Sequence, residues 1–355
     1  MISQFGKFLN KSHSPVDGAG DRGGGPGGGD QSEVLAIEIK RGGLRAKILT
    51  WGATLADLRL DGHDHPLVLG FREFEHYRDY AAHHGAIAGR VINRIAGAKA
   101  TIDGTQYHFD TNHLTKHTLH GGAMGFGWRN WQLGDYGDDF VELILDDPDG
   151  SMGFPGNLTV TCRYSITEDC AFAVDLGAKT DAPTLVNLGH HSYFCLDDRR
   201  DIRTHELSID ADFYLPADTD DFATGEIVAL AGSAFDFRQH RAIKDSFDTN
   251  FCLAEQRRVP TKIARLSSPF SGIAMDITTT EPGLQLYTAH KLDAPIAGLS
   301  GAADRAFAGV CLEPQMWPNA PAHPAFPSIE LRPEDQYHQH SKFTFSRYHE
   351  PQFGD

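Results

Sequence analysis

The segment VLAIEIK at residues 34–40, followed by LRAKILT at residues 44–50, is the clearest indication of the fold class of this chain. Apolar and polar residues alternate in both segments, which is the pattern of half-buried β-strands. Gly42 and Gly43 lie between the two segments, and glycine pairs favour the tight turns that close β-hairpins. The stretch therefore predicts an antiparallel hairpin.

The same alternation and turn chemistry continue along the chain. TLADLRL at 54–60, then Asp61-Gly62, then PLVLGF at 66–71 predict a second hairpin, and Asp103-Gly104 between ATID and TQYHF predicts a third. Helical periodicity is confined to REFEHYRDY at 72–80, enough for one or two turns. Further β patterns are FVELILD, LTVTCRYSIT, AFAVDLG, KIARLS, GIAMDITTT, LQLYTA, SIELR and KFTFS. Many short strands with few helices predict an all-β fold, an antiparallel sandwich or barrel.

The 355 residues are predicted to form one domain behind a glycine-rich segment. Eight of the twelve residues at 18–29 are glycine, and such a composition cannot bury enough apolar surface to offset its chain entropy. Residues 1–33 are therefore predicted to be a flexible tail. Residues 34–355 are predicted to be a single β-sandwich domain, because no linker composition divides them.

The composition argues against some classes of function and indicates the cellular compartment. Asp and Glu number 48 against 32 Lys and Arg, for a formal net charge of −16, and such a surface repels nucleic acid. The apolar runs are far shorter than the roughly 20 residues of a membrane helix, and no signal peptide is visible. The five cysteines are widely spaced without a CxxC motif, which indicates reduced thiols. We therefore expect a cytoplasmic protein with no membrane and no nucleic-acid partner.

Glu313 and His191 are candidates for acid–base chemistry. Glu313 follows the apolar run FAGVCL and precedes a Pro/Trp-rich loop, where partial burial would raise its pKa toward that of a general base. His191, in NLGHHSYF, has an imidazole that titrates near neutral pH and can donate a proton. Taken singly, a structural salt bridge is the commoner role of such a carboxylate.

Other polar and aromatic residues could contact a sugar. Asn93 and Arg94 lie together in GRVINRIAG, and an amide beside a guanidinium is a good donor set for hydroxyls. Asp248, in FDTNF, could accept bonds from hydroxyls or cap a turn. Structural ion pairs and core packing are the alternatives. Residues that could offer an aromatic face are Phe126, Trp128 and Trp131.

A metal site is not expected. His113, His117 and His120 have spacings that suit one face of a helix, but they lie in loop-like, glycine-flanked sequence. The spacings typical of zinc and other metal sites, such as HExxH or CxxC, are absent from the sequence.

Taken together, the motifs resemble those of the aldose 1-epimerases, the galactose mutarotase family. The resemblance covers roughly residues 34–348. It implies a large antiparallel β supersandwich with very little helix. It also implies interconversion of the α and β anomers of a free aldohexose such as galactose or glucose, without metal or organic cofactor. The motifs are WGATLADLRL, GRVINRIAGA with IDGTQYHF, HTLHGGAMGFGWRNW, PDGSMGFPGNLTVTCRY, NLGHHSYFCL, LQLYTA and LEPQMWPNAPAHPAFPSIELRPEDQY.

The resemblance also implies roles for seven residues. It puts the general base at Glu313 and the general acid at His191, with the carboxylate charged and the imidazole protonated in the working pair. Departures from the usual motif text at Gly189-His190, Cys195 and Pro314 leave the acid and base in place but put the sugar preference in doubt. His190 could contact the sugar or stack beneath His191. The sugar-binding positions are Asn93, Arg94, His120, Asp248 and Gln285.

Two other functions are compatible with this pattern. An epimerase of a phosphorylated or unusual sugar would need additional cations, and Arg90, Arg94 and Arg129 form no distinctive cluster in the sequence. A non-catalytic sugar sensor on the same fold would be expected to lack Glu313 or His191. Because both are present, we expect an isomerase with a small-molecule sugar as its partner, acting as a monomer or a homodimer.

Overall fold

The computed structural model describes residues 1–9 and 31–348. Most of the predicted tail, residues 10–30, and the end of the predicted domain, residues 349–355, lie outside the described residues. Helix α1 (Phe74–Tyr80) occupies the segment where one or two helical turns are predicted. None of the helices in the described ranges has the length and apolar character to cross a membrane.

Strands are the predominant secondary structure of the described residues, and only one α-helix is found there, so the all-β prediction is confirmed. In chain order they are β1 (Ile2–Leu9), β2 (Gln31–Arg41), β3 (Leu44–Leu49), β4 (Thr54–Leu60), β5 (Ile87–Ala88), β6 (Arg94–Ile95), β7 (Lys99–Ile102), β8 (Thr105–His108), β9 (Thr118–Leu119), β10 (Gln132–Tyr136), β11 (Phe140–Asp147), β12 (Leu158–Thr167), β13 (Ala171–Thr180), β14 (Thr184–Leu185), β15 (Gly189–His190), β16 (Tyr193–Phe194), β17 (Glu206–Ile209), β18 (Phe213–Leu215), β19 (Val228–Ala229), β20 (Arg241–Ala242), β21 (Asp248–Cys252), β22 (Thr261–Ser268), β23 (Ile273–Thr279), β24 (Gly283–Tyr287), β25 (Val310–Gln315), β26 (Glu330–Leu331) and β27 (Tyr337–Arg347). Short 3₁₀ turns lie at Ala96–Ala98, Phe126–Trp128, Ser151–Gly153, Ile202–Thr204 and Ala320–Ala322.

The longer strands form three main antiparallel sheets. The largest has nine strands in the order β10-β11-β12-β13-β27-β23-β22-β17-β20. A six-stranded sheet has the order β16-β25-β24-β21-β18-β19, and a four-stranded sheet runs β1-β2-β3-β4. Two-stranded pairs are β5-β15, β6-β9, β7-β8 and β14-β26.

Two of the predicted hairpins are confirmed together with their turns. β2 pairs antiparallel with β3, and the connecting Gly42 and Gly43 have φ of 54° and 83°. β7 pairs with β8, and Asp103 and Gly104 between them have φ of 47° and 75°. Successive residues with positive φ give the turn whose twist matches that of the strands, and glycine adopts it without steric cost.

The second predicted hairpin is only half formed. β4 is present, but PLVLGF at 66–71 makes a backbone bond from Leu67 N to Leu58 O at 2.9 Å and an isolated bridge from Val68 to Phe194. Proline at the start of the segment has no N–H with which to extend a ladder. The segment instead runs from the four-stranded sheet to β16 of the six-stranded sheet.

The prediction of a flexible tail over residues 1–33 is wrong at both of its ends. β1 pairs with β2, which itself begins at residue 31. The Phe5 ring meets Tyr77 of α1 edge to face at 6.1 Å. Gly6 lies against Phe74, where a Cβ atom would come within 2.4 Å of the Phe74 Cβ. The composition argument holds only for the glycines, because Ile2 and Phe5 pack their apolar side chains against buried clusters of the domain.

The main core lies between the nine-stranded and six-stranded sheets. Phe194 of β16 packs on Phe343 of β27 with ring centroids 5.2 Å apart, and Leu284, Leu286 and Leu312 are fully buried in the same cluster. Each such side chain contributes about 1.5–3 kcal/mol of burial free energy. The other face of the six-stranded sheet is also covered, because β24 and β25 are buried along nearly their whole length. Polar groups on that face are therefore shielded from bulk water.

Candidate active site

One face of the six-stranded sheet carries a row of three polar side chains. Glu313 of β25 is paired with Gln285 of β24, and Gln285 is paired with Asn250 of β21. Directly opposed residues on antiparallel strands point to the same face. Leu312 packs into the core, and side chains alternate along a strand. Glu313 and its row therefore point away from the core.

A second row lies beside the first, two residues along each strand. It consists of Tyr193 of β16, Cys311 of β25, Tyr287 of β24 and Asp248 of β21, each paired with the next. Strand register thus places on one surface groups that are far apart in the sequence. All of the predicted site residues on β21, β24 and β25 belong to these two rows.

His191 meets Glu313 at this surface. His191 lies between β15 and β16, and its Nε2 is 3.5 Å from Glu313 Oε1. The backbone holds it from both sides, since His191 N–H donates to Ala86 O at 2.9 Å and Gly85 N–H donates to His191 O at 3.0 Å. The side chains of the pair are only 6% and 2% exposed. The structure therefore brings the predicted acid and base into contact at a buried position.

Asn187 ties the segment of His191 to the strand of Glu313. Its Oδ1 accepts from Met316 N–H at 2.9 Å, and its Nδ2 donates to Met316 O at 3.2 Å. Met316 directly follows β25. Two hydrogen bonds from one buried amide fix the relative position of the two chain segments that supply the pair.

Burial sets the protonation of the pair. It raises the pKa of the Glu313 carboxyl well above its ordinary value, and nearby Asp248 adds to this, while Arg94 opposes it. Burial also lowers the pKa of His191 to about 4, against the smaller opposing effects of its own backbone carbonyl and Asp248. Both shifts favour the uncharged forms, a protonated Glu313 carboxyl and a neutral His191 imidazole. They oppose the charged pair that the sequence predicts for the working state.

Arg94 and Gln285 hold Asp248 from both sides. Arg94 Nη2 donates to Asp248 Oδ2 at 3.1 Å, and Gln285 Nε2 donates to Asp248 Oδ1 at 2.7 Å. Arg94 Nη1 also donates to Asn93 Oδ1 at 3.1 Å. Arg94 Nη2 lies 3.4 Å from Asp221 Oδ2 as well. The result is a network of donors and acceptors with fixed orientation.

Asn93 and His120 complete the predicted set. Asn93 N–H donates to His120 Nδ1 at 3.2 Å, and His120 N–H donates to Asn93 O at 2.9 Å. The His120 ring meets His191 edge to face at 5.2 Å. All seven residues proposed from the sequence are therefore connected to one another in a single site.

The sequence reasoning missed several residues of this site. The His83 ring lies 4.6 Å from His120, 5.8 Å from His191 and 5.4 Å from Trp128, measured between ring centroids. Lys291 Nζ donates to Asp221 Oδ2 at 2.6 Å beside Arg94. Cys311 could have been found, because a residue two positions before Glu313 on a strand shares its face. Only a weak indication of His83 is present in the sequence, namely the pair His83-His84 followed by Gly85.

The comparisons with known proteins agree with this geometry. Residues 35–344 match the family model described as aldose 1-epimerase. The chain belongs to the aldose 1-epimerase family. The galactose mutarotase of Rattus norvegicus is 37% identical over 336 residues, covering 90% of this chain and 96% of that protein. The aldose 1-epimerase of Escherichia coli K12 is 34% identical over 322 residues, covering 85% and 92%.

Solved structures show the same fold. The GalM/aldose epimerase homologue from C. elegans superposes with a TM-score of 0.83 at 31% identity, covering 88% of this chain and 98% of that one. The galactose 1-epimerase from Lactobacillus acidophilus gives a TM-score of 0.77 at 25% identity, covering 90% and 96%. The predicted supersandwich of the galactose mutarotase type is confirmed.

In this member of the aldose 1-epimerase family, His190 faces the core and not the side that carries Glu313 and His191. Its ring packs among Tyr164 at 5.8 Å, Phe172 at 6.0 Å and Phe343 at 6.0 Å. Its Nε2 lies 2.9 Å from Ser192 Oγ. Burial lowers the pKa of His190 to about 3. Of the two roles left open by the sequence, contact with the sugar or stacking beneath His191, neither describes this packing.

The three aromatic residues proposed as a sugar face divide between core and site. Trp131 and Phe126 are buried and meet edge to face at 6.0 Å. Trp131 Nε1 donates to Phe126 O at 3.1 Å. Core packing is therefore their role, whereas Trp128 lies beside His83 near the acid–base pair.

Of the three histidines that suggested a metal site, His113 and His117 lie together beside Phe222, and His120 lies apart from them. His117 Nδ1 accepts from Gly97 N–H at 2.9 Å, and its ring packs on Phe222 at 4.3 Å. His120 instead packs beside His191. The helical spacing is irrelevant here, because residues 110–120 form no helix.

Proposed function

We propose that this protein is an aldose 1-epimerase that interconverts the α and β anomers of a free aldohexose, galactose or glucose. The observation that carries the proposal is the buried pair of His191 and Glu313, with 3.5 Å between Nε2 and Oε1. A proton acceptor and a proton donor this close can act on two oxygens bonded to the same carbon. Membership of the aldose 1-epimerase family supports the same chemistry.

The reaction needs one proton to leave the sugar and another to reach it. Glu313 accepts the proton of the anomeric hydroxyl, and the electrons of that O–H bond form the C1=O1 double bond. The C1–O5 bond breaks, and its electron pair on O5 takes the proton that His191 donates. The product is the open-chain aldehyde. Rotation about C1–C2 presents the other carbonyl face, and the reverse transfers close the ring as the opposite anomer.

The number of protons on the pair does not change during this cycle. The pair works with a single shared proton, and burial favours the form in which Glu313 holds it. Transfer of that proton over the 3.5 Å gap gives the charged form in which Glu313 is the base and His191 the acid. Sugar hydroxyls that hydrogen-bond to the pair stabilise its charged form. Each participant in such acid–base catalysis contributes about 10²–10⁴-fold in rate.

The remaining site residues hold the sugar while C1 changes. Asp248 offers carboxylate oxygens to vicinal hydroxyls, and Arg94, Asn93 and Gln285 offer donors already oriented by their mutual hydrogen bonds. His120 lies edge-on to His191 and supplies a further polar contact near the reacting centre. Orientation of this kind lowers the entropic cost of reaching the transition state.

Polarimetry tests the proposal. Freshly dissolved α-D-galactose and α-D-glucose should approach anomeric equilibrium faster with the protein than without it. Glu313→Gln should reduce kcat by about 10²–10⁴-fold. Glu226→Gln, at an exposed position outside the site, is the matched control and should keep the wild-type rate.

The comparison of the two sugars ranks substrate preference. No acceleration with either sugar by a folded wild-type protein would overturn the proposal. Full activity in Glu313→Gln would overturn the role of that residue. Acceleration lost in Glu313→Gln and retained in Glu226→Gln supports both.

The arginines offer little support for a phosphorylated sugar. Arg90 is buried, with Nε 2.6 Å from Asp147 Oδ2, and Arg129 Nη1 lies 2.9 Å from Asp147 Oδ1. Both cations are therefore engaged with the same carboxylate. Arg94 is the one of the three that contacts the site, and it is paired with Asp248. The presence of the acid–base pair likewise speaks against a sensor without catalysis.

The cytoplasm is the compartment that we propose. The five cysteines, all within the described residues, are free thiols, which suits a reducing compartment. The net charge of −16 suits a neutral small-molecule partner better than nucleic acid.

A further inference from the structure

Four charged side chains make a line of contacts from the proposed sugar site to solvent. Lys291 Nζ donates to Asp221 Oδ2 at 2.6 Å, and Arg94 Nη2 lies 3.4 Å from the same oxygen. Arg94 Nη2 also donates to Asp248 Oδ2 at 3.1 Å. The Arg94 and Asp248 side chains are 10% and 14% exposed, whereas those of Asp221 and Lys291 are 32% and 56% exposed. The mechanism above uses the inner two and leaves the outer pair, Asp221 and Lys291, without a role.

A closed loop presents Asp221 to Arg94. An isolated bridge joins the ends of residues 217–223. Within the loop, Asp218 Oδ1 accepts from Asp220 N–H at 2.9 Å and from Phe222 N–H at 3.0 Å. Asp221 has φ of 63°, a conformation that aspartate adopts more readily than most residues. Its neighbour Phe222 is buried. The loop therefore determines where the Asp221 carboxylate lies.

Lys291 reaches Asp221 from a different part of the chain. It lies in the turn that follows β24, where Leu292 N–H donates to Ala289 O at 3.0 Å. The contact between Lys291 and Asp221 spans 70 residues of sequence. The outer pair thus joins two separate segments beside Arg94.

The outer pair controls how strongly Asp221 attracts Arg94. A guanidinium Nη2 has two hydrogens, and that of Arg94 contacts two carboxylates. Burial opposes ionisation of Asp221, but the hydrogen bond from Lys291 and the charge of Arg94 outweigh it and lower the pKa of Asp221. Asp221 is therefore charged at neutral pH. Because Lys291 is closer to the shared oxygen than Arg94 is, it takes up much of that charge, and Arg94 remains nearer to Asp248.

We propose that Asp221 and Lys291 are positioning residues that hold Arg94 against Asp248 and thereby set the affinity for the sugar. Asn93 Oδ1 accepts from Arg94 Nη1 at 3.1 Å, so the guanidinium has acceptors on two of its nitrogens. A guanidinium already oriented loses little rotamer freedom when it binds hydroxyls. Because the outer pair acts through Arg94, its effect falls on KM more than on kcat. The inference rests on the proposed function.

An ordinary surface ion pair is the competing explanation, since exposed pairs contribute little. A neighbouring pair provides the comparison. Lys116 Nζ lies 3.9 Å from Asp220 Oδ2, and the two side chains are 64% and 48% exposed. Asp220 belongs to the same loop and directly precedes Asp221, but it is Asp221 whose carboxylate contacts Arg94.

Asp221→Asn tests the inner contact, with Asp220→Asn as the matched control. The amide removes the charge that attracts both cations while it keeps the size of the side chain. Polarimetry over a range of D-galactose concentrations should show KM raised about fivefold, equivalent to ~1 kcal/mol. The change in kcat should stay within about twofold, as expected for a residue that acts on binding. Asp220→Asn should keep the wild-type KM.

Variants of Lys291 test the outer contact. Without its ammonium, Asp221 attracts Arg94 away from Asp248, so Lys291→Met should raise KM about threefold, within the range of a partly exposed ion pair. Lys291→Arg should restore the wild-type KM, because a guanidinium also binds a carboxylate. Lys116→Met, which breaks the neighbouring pair, should change nothing.

The salt dependence of KM distinguishes positioning from a merely structural role. D-galactose is uncharged, so salt does not screen its approach to the site. Between 0.1 M and 1 M salt the Debye length falls from about 10 Å to about 3 Å, which weakens the exposed contact of Lys291 with Asp221. KM of the wild type should therefore rise about twofold over this range. KM of Lys291→Met, which has already lost the contact, should not rise.

Two results would overturn the proposal. They are an unchanged KM in Asp221→Asn and an equal salt dependence of KM in the wild type and Lys291→Met. If Asp221→Asn does not fold, the Lys291 variants and the salt dependence decide the question.

An NMR titration with D-galactose separates this inference from the proposed function. A wild type that binds the sugar more tightly than Asp221→Asn, but does not accelerate mutarotation, would contradict the function and leave the positioning intact. Accelerated mutarotation with equal affinity in both proteins would contradict the positioning alone. Absence of both binding and acceleration would overturn both.

Discussion

Gln285 donates a 2.7 Å hydrogen bond to Asp248 and is at the same time the strand partner of Glu313. One amide side chain thereby links the carboxylate proposed to hold the sugar to the strand that carries the proposed base. The second oxygen of Asp248 is bonded to Arg94. Asp248 is thus held by two donors from different strands, and its orientation depends on both.

Gln285→Ala should weaken sugar binding more than catalysis. Without the amide, Asp248 keeps the Arg94 contact but loses the donor on its other oxygen. We expect KM to rise about tenfold, equivalent to ~1.4 kcal/mol, with kcat changed less. Steady-state polarimetry over a range of sugar concentrations measures both constants.

Gln132→Ala, on an exposed position of β10, is the control. An unaltered KM would show that Asp248 needs no support from Gln285.

The pH dependence of kcat/KM should differ from that of an ordinary histidine. The pair is active with one shared proton, and a second proton can be added only near the His191 pKa of about 4. The shared proton is lost only above the raised pKa of Glu313. Activity should therefore stay level between roughly pH 5 and pH 7 and fall near pH 4.

The measurement is the enzymatic rate at low sugar concentration, corrected for spontaneous mutarotation at each pH. Every sample is returned to pH 7 and assayed again, so that irreversible acid unfolding is recognised. An acid limb near 6.5, the ordinary pKa of histidine, would contradict the effect of burial on His191.

Buried histidines should make the fold sensitive to acid. Burial lowers the pKa of His83, His84 and His190 to about 3. Between pH 6.5, the ordinary pKa of histidine, and about pH 3, these histidines bind protons in the unfolded chain but not in the folded chain. Stability therefore falls as the pH falls. A fully shifted histidine contributes about 1.4 kcal/mol per pH unit in this window.

His190→Leu isolates one such contribution. The free energy of unfolding in urea, compared at pH 7 and pH 5, should drop by about 2 kcal/mol less in this variant than in the wild type. His338→Leu, at a largely exposed histidine of β27, should keep the wild-type difference. Equal differences in all three proteins would show that His190 does not resist protonation.

Phe5→Ala should lower stability and leave activity unchanged. The ring of Phe5 meets Tyr77 edge to face on the side of the four-stranded sheet, and such aromatic pairs contribute about 0.5–1.5 kcal/mol beyond their buried area. Thermal unfolding followed by circular dichroism should show a lower Tm, with kcat and KM as in the wild type. A Tm that does not move would place β1 outside the stabilising part of the fold.

The fold was predictable wherever turn chemistry and alternation agree. Gly42-Gly43 and Asp103-Gly104 combine residues that tolerate positive φ with flanking alternation, and both hairpins form. The composition of PLVLGF predicts a strand, but the segment runs between two sheets and forms only an isolated bridge to Phe194. Tertiary packing, which the sequence pattern does not report, determines this partner. β1 was not predicted, because the glycine-rich segment that follows it led us to assign residues 1–33 to a flexible tail.

The sequence was sufficient to propose which residues form the site, but not how they are arranged in space. Glu313, His191 and the five binding residues each lie in a motif that can be read along the chain. Their neighbours Cys311 and Tyr193 depend on the register of β16 and β25, which pairs them. The protonation of the pair depends on burial, and a sequence pattern does not report how completely a carboxylate is covered. For that reason the sequence did not predict the pKa shifts of the pair.

The two polar rows on the six-stranded sheet have a consequence for how this protein acquires activity. Arg94 and Asp248 are 154 residues apart in the chain, and His191 and Cys311 are 120 apart. Contacts of such long sequence separation form late, after the entropy of closing large loops has been overcome. We therefore expect a half-folded chain or a proteolytic fragment that lacks these contacts to be inactive. Catalysis in this molecule is a property of the completed topology.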